Sequence, residues 1–80
     1  MKLDSKPAQS LVKKLRASAL GEILNVSEVE FLKGLGGKAE LKVIEADEGK
    51  YWLMEVLYGG IPVTEVSAEI HKDELILELV

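Results

Sequence analysis

Cysteine is absent from this chain, which excludes disulfide staples and thiolate metal sites together. There is one histidine, His71, whereas protein metal sites are usually built from two or more His or Cys at ligand spacing. Glu69 and His71 share a strand face, but a solvated polar face explains them better than a metal site does. No stretch approaches the roughly 20 apolar residues of a transmembrane helix, and the opening Met-Lys-Leu-Asp-Ser-Lys-Pro lacks the apolar run of a secretory leader. A cytoplasmic protein without a membrane partner is expected. Basic residues are also scarce, 10 Lys and Arg against 14 acids for a net charge of −4. Nucleic acid is therefore an unexpected partner, because neutralising phosphates requires a basic surface.

Catalytic motifs are missing as well. No serine sits in a Gly-x-Ser-x-Gly elbow; Ser5 and Ser27 read as helix caps instead. Gly34-Leu35-Gly36-Gly37-Lys38 lacks the spacing of a phosphate loop and precedes a strand rather than a helix. Glu55, between Leu53 and Leu57 on its strand face, is the single carboxylate with the apolar setting that acid–base catalysis exploits. An ion pair or hydrogen bond with Lys42 or a dimer mate is the simpler reading. Neither an enzyme nor a bound cofactor or metal is expected.

What the chain does contain is a change of period. From Ser5, an N-cap followed by Pro7 in the first turn, the residues Ala8, Leu11, Val12, Leu15, Ala19 and Ile23 recur at three- and four-residue spacing. They predict an amphipathic helix over residues 6–24, with Lys13, Lys14 and Arg16 away from the apolar stripe. Ser27 and Glu30 have capping-box spacing, and Val26 with Phe31 has hydrophobic-staple spacing. They favour a short second helix over residues 28–35, although the alternation of Val29 and Phe31 with Glu28 and Glu30 also suits a strand.

After Lys38 the period is two. Strands are expected over residues 38–46, 51–58, about 63–71 and 74–80, joined by turns at Asp47–Lys50, Gly59–Pro62 and Lys72-Asp73. The fold class is α+β: an N-terminal amphipathic helix, with the optional second one, packed on a four-stranded antiparallel β-meander in one domain over residues 1–80. The expected core comprises the helix stripe with Ala39, Leu41, Val43, Trp52, Met54, Val56, Tyr58, Val66, Ala68, Ile70, Leu75, Leu77 and Leu79. The run from Trp52 to Leu77, with its aromatic strand, Ile61-Pro62, Ala68-Glu69-Ile70 and Asp73-Glu74-Leu75, resembles the helix-plus-meander domain of the gas-vesicle accessory protein O family. The likeness covers about a third of the chain, includes no diagnostic motif and departs from the family in lacking its basic carboxyl-terminal residues.

The opposite face of the sheet poses the functional question. It carries Ile44, Tyr51, Leu53, Leu57, Val63, Ile76 and Val80 among Lys42, Glu55, Glu65, Glu69, His71 and Glu78, and a patch so apolar calls for cover. Charge is divided along the chain too: residues 1–38 hold seven Lys or Arg and four acids, +3, whereas residues 39–80 hold three Lys and ten acids, −7. The expectation is a non-enzymatic interaction module, homodimeric, engaging a basic or amphipathic protein partner through Tyr51, Leu53, Glu55, Leu57, Glu65, Glu69, Ile76 and Glu78. Cover by residues 26–35 is the structural alternative for this face. Two other readings stand beside the module: a small-ligand pocket between helix and sheet near Trp52, Met54 and Tyr58, and a structural domain with no ligand.

Overall fold

A computed structural model describes residues 1–25 and 39–80. One helix, α1 (Lys6–Ala17), is followed by β1 (Ile23–Leu24), β2 (Ala39–Asp47), β3 (Tyr51–Tyr58), β4 (Ile61–His71) and β5 (Glu74–Leu79). The strands form one antiparallel sheet in the order β1-β2-β3-β4-β5. The α+β class and the meander of four long strands match the sequence expectation. The expected second element, whether helix or strand over residues 28–35, lies outside the described residues.

Ser5 caps α1 as its position implies: its hydroxyl accepts from the Ala8 N–H at 3.4 Å, with Pro7 in the first turn. The helix ends at Ala17, well short of residue 24. Ser18 takes an extended backbone (φ −88°, ψ 145°), its N–H donates to the Leu15 carbonyl, and its hydroxyl donates to the Lys14 carbonyl. Gly21 then adopts φ +85°, a conformation glycine accepts readily. Beyond it the chain turns onto the sheet edge, where Gly21 N–H donates to the Val43 carbonyl at 2.7 Å and Val43 N–H to the Glu22 carbonyl at 3.1 Å. Continued helix would have spent about 1 kcal/mol on Gly21 relative to alanine and left this edge of β2 without its partner. Pairing with β2 wins, so Ile23 belongs to a strand and Ala19 is exposed.

α1 crosses the end of the sheet that carries two of the hairpin turns. Leu3 N–H donates to the Asp73 carbonyl at 2.9 Å, beside the helix start, and Arg16 Nε donates to the Gly49 carbonyl at 3.2 Å, at its end. Between these ties Ala8, Leu11, Val12 and Leu15 are buried against Leu41, Val43, Trp52, Met54, Val56, Val66, Ala68 and Leu75. Tyr58 and Leu79, both expected in the core, are 43% and 66% exposed. Their side chains share the core face, but Tyr58 stands at the opposite end of the sheet from α1, and Leu79 lies at the close of β5, next to Val66. Leu79 also ends the edge strand of the sheet, with no strand beyond β5 to flank it among the described residues.

Two irregularities set which residues face the core. Val43 pairs with Met54 and Glu45 with Leu53, leaving Ile44 as an extra residue in β2; Val63 is likewise extra in β4, between the pairs Val56–Thr64 and Leu57–Pro62. Such bulges switch the parity of a strand. Without the first, Glu45 would stand opposite Trp52 on the core face; with it, Ala46 takes that place and Glu45 turns outward. Trp52 consequently has a small neighbour on each side, the exposed Ala46 across β2 and the buried Ala68 across β4; Ala68 is the one that leaves room for an indole that is 1% exposed.

The hairpins are tight. Glu48 and Gly49 have φ of 52° and 68°, and Gly59 and Gly60 have 60° and 82°; both turns show the two positive φ values of type I′ geometry, whose twist matches that of the strands. Lys50 N–H closes the first on the Asp47 carbonyl at 3.0 Å. Glu48 adopts a conformation that costs a side-chain-bearing residue about 1–2 kcal/mol, less for asparagine. Replacing it to give Asn-Gly is expected to stabilise the domain by about 0.5–1 kcal/mol and to raise the thermal midpoint by about 2–8 °C. A melting curve of Glu48→Asn that coincides with the parent's would contradict this assignment of the turn.

Candidate functional site

The face of the sheet turned away from α1 is ordered by the strand register into transverse rows. One row runs Asp47, Tyr51, Glu69, Ile76; the next runs Glu45, Leu53, Ser67, Glu78. A third places Lys42 opposite Glu55 and Glu55 opposite Glu65, and beyond it Glu40 stands across from Leu57, which pairs with Pro62. Glu74 and His71 close the face at the last turn. Every carboxylate carried by β2 to β5 is therefore on this one surface, and Lys42 is the one lysine that these four strands carry.

The register brings Tyr51, Leu53, Glu55, Glu65, Glu69, Ile76 and Glu78 together on one face, as the sequence reading expected. Tyr51, Leu53, Glu55, Glu65 and Ile76 are half-buried, whereas Glu69 and Glu78 are exposed. Leu57 departs from the expectation that it offers contact surface: it is 6% exposed, although it does not belong to the cluster under α1. Ile44 and Val63 are the bulge residues, and their apolar character reflects the strand irregularities rather than a continuous patch. Cover of this face by residues 26–35 lies outside the described residues.

Glu55 is flanked by opposite charge on one side and like charge on the other. Lys42 stands directly across from it, yet among the described residues the one ion pair is that of the Met1 amino group with Glu74, at 3.7 Å. Across β4 the Glu55–Glu65 pair sets two carboxylates face to face, an arrangement that costs roughly 0.2–1 kcal/mol in an antiparallel sheet. The face thus keeps its negative charge at some expense to the fold. Glu45 and Asp47 escaped the sequence reading because strict alternation puts residue 45 on the core side. The usable signal was an acid at a core-parity position after an apolar run, which points to a bulge.

On the other side of the molecule α1 presents the opposite sign. Its first turn has no acid, its last carries Lys14 and Arg16, and cations there complement the helix dipole. Trp52 and Met54 are 1% and 0% exposed, and neither they nor Tyr58 line the grooves found among the described residues. Those grooves lie instead on the flank of α1 and at the β4–β5 turn. Among the described residues no helix is long and apolar enough to cross a membrane. Comparison with protein-family models, with curated proteins and with solved structures finds no match to this chain.

Proposed function

We propose that this protein is a non-enzymatic interaction module whose outer sheet face receives a basic, amphipathic segment of a protein partner. The observation that carries the reading is the segregation of charge: all the carboxylates of the four long strands on one face, with apolar side chains of Tyr51, Leu53 and Ile76 between them. Carboxylates in such an array accelerate encounter with a cation-bearing partner and fix its orientation, while the apolar side chains supply the contact that holds it. Leu57 shares the face but, at 6% exposed, offers no contact surface of its own.

The same charge argues for a partner other than a second copy. A two-fold pairing of this face would set rows of carboxylates against their own images, at about 1 kcal/mol of repulsion per close pair even in a water-like dielectric. Homodimerisation through this face remains the second reading, because its half-buried apolar residues suit self-association. Salt distinguishes the two by sign, since screening weakens attraction of a basic partner and strengthens pairing of like-charged faces.

The test is capture of a synthetic lysine–leucine amphipathic peptide by the parent and by the double variant Glu65→Lys, Glu69→Lys over a NaCl series. The variant is expected to bind at least about tenfold more weakly and with a flatter salt dependence. An unchanged salt slope would refute the proposal. Glu65→Lys alone turns the Lys42–Glu55–Glu65 row into alternating charge, and it is expected to stabilise the fold by about 0.5 kcal/mol. A melting curve of the double variant at or above the parent's separates weak capture from unfolding. Light scattering over the same series tests the second reading: a dimer that grows with added salt would favour it.

A further inference from the structure

We propose that the groove along the outer flank of α1 binds a single-chain amphiphile with an anionic head, of the medium-chain carboxylate class. The groove is open to solvent along its length, has a volume of about 580 Å³ and is lined by Leu3, Gln9, Val12, Lys13, Arg16, Ala17 and Ile70. That volume lies within the range of small-molecule sites, which are largely apolar with a few placed polar groups. Here Leu3, Val12 and Ile70 form the apolar floor, and they are continuous with the core: Val12 belongs to the buried cluster, and Leu3 and Ile70 pack against it. From Gln9 to Ala17 the helix runs about 12 Å, room for a short alkyl chain rather than a folded domain.

Charge selects the head group. Lys13 and Arg16 lie three residues apart on α1 and so project from neighbouring positions on one side of the helix. Among the described residues no acid lines this groove, on a protein whose net charge is −4. Among the described residues neither cation has a carboxylate partner: the Arg16 Nε–H goes to the Gly49 carbonyl, and the only ion pair is that of the Met1 amino group with Glu74. The guanidinium keeps its terminal N–H groups for a carboxylate, a geometry that planar arginine favours. An adjoining depression, lined by Lys2, Leu3, Asp4, Gln9, Lys72 and Asp73, has mixed charge and is not part of the site. The groove is on the helix side of the sheet, so this inference is independent of the outer face and its partner.

Methyl NMR of the full chain tests it, with decanoate titrated below its micellar concentration and decanol and decyltrimethylammonium as matched probes. Decanoate is expected to shift the Leu3, Val12 and Ile70 methyl signals saturably. Decanol should bind at least tenfold more weakly and the cationic analogue not at all. Lys13 is exposed, so Lys13→Glu should leave the melting temperature in place, reduce decanoate affinity at least tenfold, and be rescued in Lys13→Arg. Arg16→Gln provides a second variant with the same expected loss. The proposal is overturned if decanoate leaves those methyls unmoved, if decanol binds as tightly as decanoate, or if Lys13→Glu and Arg16→Gln keep the parent affinity. It is overturned equally if phosphatidylglycerol vesicles shift the same methyls where monomeric decanoate does not, which would assign the groove to a membrane surface.

Discussion

Trp52→Ala should remove about 3–5 kcal/mol of stability, a large share of the roughly 4–12 kcal/mol that a domain of this size holds. The indole is the largest of the fully buried side chains and is 1% exposed. It sits on the middle strand of the sheet beneath α1, between Ala46 and Ala68 in its row. Alanine at position 52 would make three small residues abreast, and backbones held at strand spacing by their ladder hydrogen bonds cannot close the void. Urea unfolding followed by far-UV circular dichroism measures the effect. A loss below about 1.5 kcal/mol would mean that the site collapses and that Trp52 is not the keystone of the packing.

Ala68→Leu tests the same row from its other side. Ala68 is 0% exposed and lies between Trp52 and Leu77. The added methylenes have no unfilled space beside the indole, and overpacking of this kind costs about 1–3 kcal/mol. In the Trp52→Ala background the sign should reverse, because leucine at position 68 would then fill part of the space vacated by the ring. The double-mutant cycle should return a coupling of about 1–3 kcal/mol in favour of the pair. Additive effects would show that the two side chains do not compete for the same volume. Ala46, exposed at the far side of the indole, is the internal control: Ala46→Leu should change stability by less than about 0.5 kcal/mol.

These expectations depend on the Ile44 bulge. Strict alternation through β2 would set Glu45 opposite Trp52, placing a carboxylate at the solvent-exposed margin of the core face that Ala46 holds instead. The extra residue returns Ala46 to the core face and places Glu45 and Asp47 on the outer one. One irregularity therefore serves both sides of the sheet, fitting the indole into the core and extending the acidic surface proposed to receive a basic partner.

Much of the fold was legible in the residues themselves. The two-residue period from Ala39 to Leu79, broken at Asp47–Lys50, Gly59-Gly60 and Lys72-Asp73, specified four long strands in consecutive pairing, because each turn is too short for anything but an antiparallel return. The Ala8, Leu11, Val12, Leu15 stripe specified the helix and its buried side. The membership of Tyr51, Leu53, Glu55, Glu65, Glu69, Ile76 and Glu78 in one face followed from parity alone. What the residues determined, in each case, was local geometry and the side of an element on which a residue falls.

Tertiary contacts decided the rest. Residues 18–24 read as helix by spacing, yet the free edge of β2 offered Gly21 and Glu22 backbone partners that solvent-facing helical turns could not match. Tyr58 and Leu79 shared the right parity for the core, but only the direction in which α1 crosses the sheet determines which core-face residues it covers. The bulges at Ile44 and Val63 and the groove beside Lys13 and Arg16 arise from how separate elements meet. Periodicity reports a residue's neighbours along its own element, whereas cover, edge pairing and concavity depend on other elements whose placement no local pattern encodes.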